Sequence, residues 1–309
     1  MSSILAPTDA ALDQVARHLA EGGAAGMPTE TVYGLAADAR SASGVARVFA
    51  LKGRPSTNPL IVHLRQDHAG LSEIAVVPEA ATALIAAFVP GPLTLVLPYR
   101  GGLAEAVTAD LGTVAVRAPT HPVAHRLIAR HGGFLVAPSA NPSGRLSPTC
   151  AADVAAAFGP DVPVLDGGRC AFGVESTIVG LTGSAPTLLR PGAIPADRIE
   201  AVLGRPLAPP PSGIAAPGMM TSHYAPASAV RLNASRAEAG EVLLGFGGTP
   251  GAALDLSPSG DLAEAAANLF ASLRALDGRA PRIAVAPIPR DGLGAAINDR
   301  LARAAAPRP

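Results

Sequence analysis

A helix and a strand are predicted to meet in the stretch Lys52-Gly53-Arg54-Pro55-Ser56-Thr57-Asn58-Pro59-Leu60-Ile61-Val62-His63. Apolar residues at helical spacing precede it, the glycine is a typical helix end, and the apolar run after the prolines predicts a strand. Lys52 and Arg54 stand two positions apart at the helix end, so both cations can approach one polyanion while the glycine lets the backbone come close. The stretch therefore predicts a phosphate site between a helix and a strand of an α/β fold.

Two features of this stretch also have a plainer interpretation. Lys52 and Arg54 can be solvated cations on the helix surface that stabilise its C-terminus. His63 lies on an apolar strand, where a neutral core histidine and a ligand contact are both compatible with the pattern. Lys52 is the single lysine among 24 basic residues, and a compact ammonium suits phosphate oxygens, so the phosphate site is preferred. The glycine spacing is not that of a P-loop.

The composition describes a globular chain with a sizeable core. Its 309 residues are 49% hydrophobic and 16% charged, which predicts two domains. Apolar runs are too short to span a bilayer and the first twenty residues include acidic side chains, so we expect a cytoplasmic protein without membrane contact. The 24 acidic and 24 basic residues balance, which gives no overall attraction to nucleic acid. Cys150 and Cys170 lack partners at metal spacing, which excludes a zinc knuckle or a disulfide framework.

The order of patterns along the chain predicts three regions. Helix and strand signals alternate irregularly over residues 1–204, which predicts a mixed sheet. Residues 205–228 contain a run of three prolines and no periodicity, as in a semi-rigid linker, yet they include Tyr224, so we expect them to close over the site as a lid. Residues 229–309 outline a small Rossmann-like βαβ domain. Its Gly245-Phe246-Gly247-Gly248 is interpreted as a turn because the dinucleotide motif around it is incomplete.

Polar residues elsewhere gather in a few loops at strand ends, where function is expected. Each cluster alone can be an ordinary capped turn. Arg117 ends a buried-looking strand and needs an anionic partner, which a substrate carboxylate or an acidic side chain would supply. No histidine follows a Gly-x-Ser-x-Gly elbow, so serine nucleophile chemistry is disfavoured. The clusters are residues 28–35, 114–119, 137–147, 174–179 and 189–192.

Taken together, these segments resemble the YrdC-like family in their order and spacing. The resemblance rests on Pro28 to Leu35, Lys52-x-Arg54, Pro59 to His63, Pro90-Gly91-Pro92-Leu93-Thr94, Arg117-x-Pro119, Pro138-Ser139-Ala140-Asn141 and Leu189-Arg190-Pro191-Gly192. It covers residues 1–204 nearly continuously. His223-Tyr224-Ala225-Pro226 and a C-terminal domain are similar to its two-domain branch, the threonylcarbamoyl-adenylate synthases. The family fold is an α/β twisted open mixed sheet with a concave, basic groove.

This resemblance implies an enzyme that makes threonylcarbamoyl-AMP from L-threonine, bicarbonate and ATP, releasing pyrophosphate with the help of Mg²⁺. The product would feed a separate threonylcarbamoyl transferase complex that modifies the tRNA adenosine next to the anticodon. Contact with tRNA or double-stranded RNA is compatible with the basic groove. The sequence identifies neither metal ligands nor a general base.

The resemblance also assigns roles to individual residues. Those matching the catalytic set around the nucleotide phosphates are Lys52, Arg54, Ser139 and Asn141. Those matching further ATP contacts are Asn58, Thr113, Ser147, Arg190 and, from the linker, Tyr224. Those matching the threonine pocket are Thr31, His63, Arg117, the backbone of Ala137, and Ser176 or Thr177, between which the register leaves the choice open.

Two functions from other classes compete with this one. A double-stranded RNA binder would use the same basic surface, but zero net charge and the lack of an aromatic stacking set weigh against it. A carbamoyl transfer protein of hydrogenase maturation would bring acylphosphatase and zinc-finger modules, which this sequence lacks. The synthase interpretation is preferred.

Overall fold

The computed structural model describes residues 4–210, 216 and 222–307. Its strands are β1 (Ile4–Leu5), β2 (Ala25–Met27), β3 (Gly34–Asp38), β4 (Ile61–His63), β5 (Leu93–Pro98), β6 (Thr113–Arg117), β7 (Leu135–Val136), β8 (Val164–Leu165), β9 (Thr177–Gly180), β10 (Thr187–Arg190), β11 (Ala229–Arg231), β12 (Glu241–Gly245), β13 (Leu254–Asp255) and β14 (Arg282–Val285). Its α-helices are α1 (Asp9–Ala20), α2 (Ala42–Lys52), α3 (Leu71–Ile74), α4 (Glu79–Phe88), α5 (Pro122–His131), α6 (Ala151–Phe158), α7 (Ala196–Leu203), α8 (Leu262–Leu276) and α9 (Gly294–Ala305).

Within these ranges the strands form two sheets. The large one has ten strands in the order β1-β8-β2-β3-β7-β4-β6-β5-β9-β10, and the small one has four in the order β11-β14-β12-β13. The large sheet is mixed, since β4 runs parallel to β6 while β5 runs antiparallel to it. All pairs of the small sheet are parallel. The expected mixed α/β sheet with a small α/β domain behind it is confirmed.

The first helix shows how the sequence pattern produces the packing. Thr8 accepts a hydrogen bond from the backbone N–H of Ala11 at 3.2 Å and so caps α1. The apolar residues at helical spacing all lie on the buried face, and each buried aliphatic side chain contributes about 1.5–3 kcal/mol. That face packs with α5 over the sheet; its residues are Leu12, Val15, Ala16 and Leu19.

The strand β3 is not predicted by the sequence pattern, which treats residues 28–35 as a polar loop. Its sequence, Gly34-Leu35-Ala36-Ala37-Asp38, lacks the β-branched and aromatic residues typical of strands. Its pairing with β2 and β7 places it in the sheet nevertheless. A Cβ at Gly34 would lie 2.8 Å from the Cβ of Ala137, so only glycine allows this approach to the loop that follows β7.

In the small domain, the turn after β12 binds its own carboxylate. The backbone N–H groups of Gly248 and Thr249 each donate to Asp255 Oδ2 at 3.1 Å. Gly247 and Gly248 have positive φ, which glycine adopts without strain. The N–H groups that a dinucleotide phosphate would need are therefore already bonded, and Gly245-Phe246-Gly247-Gly248 is a turn.

The two domains share an apolar interface. Val32, Val174 and Tyr224 lie in one cluster with Leu269 and Phe270 of α8. Gly173 packs directly against the backbone of α8 there. A Cβ at this position would lie only 2.5 Å from the Ala266 carbonyl oxygen, so a larger residue would push the two domains apart.

An ion pair between Asp153 and Arg274, 3.0 Å apart, adds to this interface. Of the predicted linker and lid, residues 211–215 and 217–221 lie outside the described residues. None of the described helices is both long enough and apolar enough to cross a membrane. The thiols of Cys150 and Cys170 are free, and the latter is buried.

Candidate active site

A pocket lies where the carboxyl ends of β4 and β6 meet the amino end of β9. The register pairs His63 with Arg117 on neighbouring parallel strands, so both side chains reach the same end of the sheet. Three arginines line it beside one carboxylate, which makes the lining suited to anions. The lining residues are Thr29, Thr31, Val32, Gly34, Arg54, Ile61, His63, Arg117, Ala137, Pro138, Ser139, Glu175, Ser176, Arg190, His223 and Tyr224.

Arg117 is buried, with only 5% of it exposed, and three groups hold its guanidinium. Its Nη1 donates to Thr31 Oγ1 at 2.8 Å, its Nε donates to the Gly91 carbonyl at 3.2 Å, and its Nη2 forms an ion pair with Glu30 at 2.6 Å. Burial alone would raise the pKa of Glu30, but the charge of Arg117 outweighs it and holds that pKa below its usual value. The guanidinium is therefore fixed in place at the pocket wall.

His63 is a neutral side chain beside this cation. Its Nδ1 lies 3.2 Å from the Ile61 carbonyl oxygen. Burial, assisted by the charge of Arg117, lowers the pKa of His63 to about 3. At neutral pH the ring can exchange hydrogen bonds with a ligand without adding charge.

Arg190 enters the pocket from the end of β10. Its Nη2 donates to the carbonyl and to the hydroxyl of Ser176, at 2.9 and 3.1 Å. The Ser176 hydroxyl also lies 2.7 Å from the hydroxyl of Thr94 on β5. The turn after Arg190 packs directly on this backbone, since a Cβ on Gly192 would lie 2.4 Å from Thr177 N. Arg190 and Ser176 are thus held together in one hydrogen-bonded unit.

Arg54 is fixed by the loop that follows α2. Its Nε and Nη2 donate to the carbonyl and side-chain oxygens of Asn58, at 3.0 and 2.6 Å, and Nη2 also donates to the Pro59 carbonyl at 2.8 Å. Burial lowers the pKa of Arg54 to about 10, so it stays charged at neutral pH. Asn58 therefore orients a cation of the pocket.

Lys52 is not on a surface, so the alternative interpretation of a solvated cation at the helix end is wrong for this residue. Only 3% of it is exposed, and its Nζ donates to the carbonyl oxygens of Ser139 and Asn141 at 2.5 and 2.6 Å. Burial, with the nearby charge of Arg54, lowers the pKa of Lys52 well below its usual range. The ammonium thus ties the end of α2 to the loop after β7 that lines the pocket.

Glu175 supplies the carboxylate of the pocket. Its Oε1 accepts a hydrogen bond from the Ser147 hydroxyl at 2.5 Å, and its Oε2 pairs with Arg300 Nε at 2.7 Å. Beside it, Tyr224 is buried with its ring 4.0 Å from that of His223. Burial lowers the pKa of His223 to about 3, so this ring is neutral as well.

Comparison with known proteins identifies the family. A family model with the description "Telomere recombination", covering Sua5, YciO and YrdC proteins, matches residues 17–192. A second, described as "Threonylcarbamoyl-AMP synthase, C-terminal domain", matches residues 194–306. This chain belongs to the threonylcarbamoyl-AMP synthase family. The resemblance seen in the sequence is confirmed.

Individual relatives agree with this membership. The threonylcarbamoyl-AMP synthase of Pyrococcus abyssi is 39% identical, over 92% of this chain and 91% of the relative. That of Bacillus subtilis is 44% identical over 72% of this chain and 66% of the relative. The crystal structure of P. abyssi Sua5 complexed with L-threonine superposes with a TM-score of 0.88 at 37% identity, covering 95% of this chain and 94% of that one. Escherichia coli YciO, at 20% identity over 62% of this chain and 96% of that one, shares the fold with a TM-score of 0.57.

The structure brings most of the residues expected from the family resemblance to the pocket wall. They are Thr31, Arg54, His63, Arg117, Ala137, Ser139, Ser176, Arg190 and Tyr224. Three more act on this wall from behind: Lys52 through the Ser139 carbonyl, Asn58 through Arg54, and Ser147 through Glu175.

The remaining expected residues lie elsewhere in the described structure. Asn141 lines a second cavity of about 260 Å³ between the domains. Thr113 stands at the far end of β6, opposite Pro98, while Arg117 ends the strand at the pocket. The Thr177 hydroxyl donates to the Ile194 carbonyl at 2.6 Å, whereas Ser176 faces the pocket.

Sequence reasoning missed three groups around the pocket. Glu30 and Glu175 lie inside segments that were recognised, but only the fold shows that each pairs with a buried arginine. Arg300 lies on the last helix, far away in sequence. A signal exists for it, because it falls on the apolar stripe of α9, between Ile297 and Leu301.

Proposed function

We propose that this chain synthesises threonylcarbamoyl-AMP from L-threonine, bicarbonate and ATP, and releases pyrophosphate. The observation that carries the proposal is that one pocket gathers Arg54, Arg117 and Arg190 in a chain of this family. The reaction must hold a carboxylate, a bicarbonate and a triphosphate close together, and fixed cations offset their mutual repulsion.

The threonine would occupy the side of the pocket formed by Arg117. A relative's structure holds L-threonine, which supports a threonine site in this fold. Arg117 and Thr31 suit the substrate carboxylate, since they already share a 2.8 Å hydrogen bond. Neutral His63 and the hydroxyl of Ser176 offer uncharged hydrogen-bond partners for the amine and the substrate hydroxyl.

ATP would occupy the side formed by Arg54 and Arg190, with Lys52 holding the loop that carries Ser139. Asn58, Ser147 and Tyr224 belong to the same proposed nucleotide set at this pocket. Thr113 and Asn141, which lie outside the pocket wall, are proposed as further nucleotide contacts. The threonine amine attacks the carbon of bicarbonate, and water leaves as the carbamate forms. A carbamate oxygen then attacks the α-phosphorus, the bond to the bridging oxygen breaks, and pyrophosphate leaves with its electron pair. Arginine side chains stabilise the charge that builds on the phosphate oxygens.

Mg²⁺ would enter as part of the Mg–ATP substrate. Over residues 4–210, 216 and 222–307, no three His, Cys, Asp or Glu side chains are grouped to hold a metal ion. The carboxylate of Glu175 is already paired with Arg300 and Ser147. The phosphates are therefore the chief ligands for the ion, and its charge would complement the arginines.

The product would supply a separate transferase complex that modifies the tRNA adenosine next to the anticodon, in the cytoplasm. A mixed anhydride of carbamate and phosphate is an activated acyl donor, and an amine of a nucleobase is a suitable acceptor. Contact with tRNA or double-stranded RNA is a further part of this proposal.

The proposal is tested by omission. Purified protein is incubated with Mg–ATP, threonine and bicarbonate, and pyrophosphate is measured as each component is left out in turn. We expect pyrophosphate only when all are present, and little with serine in place of threonine. Equal release without threonine would overturn the proposed function.

A further inference from the structure

The last helix of the C-terminal domain reaches the pocket from behind. Arg300 on α9 is 1% exposed, and its Nε lies 2.7 Å from Glu175 Oε2. Its Nη1 donates to the Pro191 carbonyl at 2.9 Å, directly after Arg190 in the chain. Its guanidinium carbon lies 5.2 Å from the centre of the Tyr224 ring. One side chain of this domain thus contacts two residues of the pocket wall, Glu175 and Tyr224, and the backbone next to a third, Arg190.

We propose that Arg300 is a positioning residue of the active site, through which the C-terminal domain sets the charge and orientation of Glu175. This inference rests on the proposed function, because it assumes that the pocket binds a nucleotide. Its test measures ATP affinity and does not depend on turnover. The inference gives the C-terminal domain a task in nucleotide binding.

The argument begins with the charge of Glu175. This carboxylate is 6% exposed and lies in a wall that otherwise carries arginines for anionic substrates. An ionised, unpaired carboxylate there would repel phosphates and attract Arg190, which is the cation proposed for them. Arg300 satisfies the carboxylate from the side away from the pocket. Arg300, which does not line the pocket, thereby offsets the unfavourable burial of the Glu175 charge.

The surroundings of Glu175 show which groups share this task. Burial raises the pKa of Glu175, but the charges of Arg300 and then Arg190 outweigh it and hold the pKa below its usual value. Among the described residues, the charged and titratable groups facing this cluster come from four segments, with the Ser147 hydroxyl on the remaining oxygen of Glu175: Arg190 from β10, His223 and Tyr224 from the linker, Arg300 and Asp299 from α9, and Lys52 and Arg54 from the end of α2 and the loop after it, whose charges act on His223.

The same helix also supports the aromatic pair of the linker. The backbone N–H of His223 donates to the Arg303 carbonyl at 3.3 Å, near the end of α9. The Tyr224 ring packs against Arg300 on one side and lies 5.6 Å from the Phe270 ring of α8. Arg300 is therefore placed to couple Glu175 and Tyr224, which both line the pocket.

The test is a double-mutant cycle on ATP affinity. Arg300→Met, Glu175→Gln and the double variant are prepared, and the dissociation constant of Mg–ATP is measured by calorimetry at pH 6 and pH 8. In Arg300→Met, we expect Glu175 to pair with Arg190 and compete with the phosphates. Affinity should fall roughly ten- to hundredfold, within the range found for coupled neighbours, and more at pH 8 than at pH 6, because without the charge of Arg300 burial raises the pKa of Glu175 in the variant.

The double variant decides between positioning and mere packing. Removing the carboxylate removes the competitor, so Glu175→Gln should restore most of the affinity lost in Arg300→Met and abolish its pH dependence. Arg231→Met is the matched control, because it breaks an ion pair of the same domain, to Glu241, and neither residue of that pair lines the pocket. Its effect should not change when Glu175→Gln is added.

Other outcomes also have a definite meaning. If Arg300→Met does not fold by circular dichroism, Arg300→Gln replaces it with the same expectations. A double variant that folds where both single Arg300 variants fail supports the inference. Equal, pH-independent weakening in the single and double variants, or failure of all of them to fold, overturns it. Lack of threonine-dependent pyrophosphate release by the wild type would refute the proposed function alone, because ATP affinity is measured without turnover.

Discussion

The strand ends of the two sheets use their polar groups in opposite ways. In the large sheet, the ends of β6 and β10 bring Arg117 and Arg190 to a pocket in which cations outnumber carboxylates. In the small sheet, the turn after β12 directs its N–H groups at Asp255 of the same domain. The first arrangement is suited to a ligand anion and the second has its anion built in. A glycine-rich turn after a parallel strand is thus no phosphate site where its N–H groups already bind a carboxylate of the same chain.

The largest effect is expected from Arg117→Ala on the pocket side of this comparison. Loss of one partner of a buried ion pair costs about 3–5 kcal/mol, because Glu30 is left charged and unpaired. We expect the variant to lose measurable threonine-dependent pyrophosphate release and to unfold at a lower temperature. Arg40→Ala is the control, since its ion pair with Glu73 is half exposed and contributes little.

Adding Glu30→Gln separates the two losses in Arg117→Ala. The double variant should regain stability, because no buried charge is left unpaired, yet remain unable to use threonine. If threonine use returns with stability, Arg117 acts only through the fold, and the pocket does not differ from the glycine turn in the way described.

A smaller effect is expected from Lys52→Met, which keeps most of the side-chain length. Two buried carbonyls, of Ser139 and Asn141, lose their donor, which costs about 1–3 kcal/mol each at most. Unfolding by urea should show the lower stability, and turnover should fall with it. A variant of wild-type stability that is still inactive would show that the ammonium serves the substrate and not the loop.

The neutral histidines of the pocket predict a pH dependence of stability. His63 and His223 each have a pKa near 3 when folded, against 6.5 in the unfolded chain. The unfolded state therefore binds more protons between these values, and the free energy of unfolding should decrease as pH falls from 6.5 toward 3. His63→Gln should flatten this decrease in urea titrations at several pH values. An unchanged slope would mean that His63 is already charged in the folded protein.

The smallest effect on activity is expected from Asp255→Ala in the small sheet. The N–H groups of Gly248 and Thr249 lose their acceptor, which costs about 1–2 kcal/mol at a partly exposed site. The melting temperature should fall, while the KM for ATP stays at its wild-type value. A changed KM for ATP would make the turn part of a nucleotide site and remove the contrast between the two sheets.

Local sequence signals account for much of the fold. The cap at Thr8 and the apolar spacing along α1 are typical of a helix, and so is the spacing of the buried apolar residues along α8. Short elements of small residues are invisible to such signals, as β3 shows, because pairing with neighbouring strands and not side-chain preference forms it. The pocket is predicted only through the family resemblance, which rests on the order and spacing of the motifs along the chain.

Other features depend on contacts between segments far apart in the sequence. The burial of Lys52 follows from carbonyls 87 and 89 residues away. The pairing of Arg300 with Glu175 joins residues 125 positions apart. No periodicity encodes such contacts, since the first depends on how two distant segments of the large-sheet domain pack and the second on how the two domains pack. The most that a sequence shows is an arginine on an apolar helix face, which signals an acidic partner somewhere in the fold.

The central claim is that the pocket joins threonine, bicarbonate and ATP in one product. The most direct measurement is mass spectrometry of the nucleotide product after incubation with isotopically labelled bicarbonate and unlabelled threonine. The account predicts an AMP adduct that carries both the threonine mass and the label, and that is absent with Arg117→Ala. An adduct of threonine and AMP without the label, or no adduct at all from wild-type protein, would contradict it.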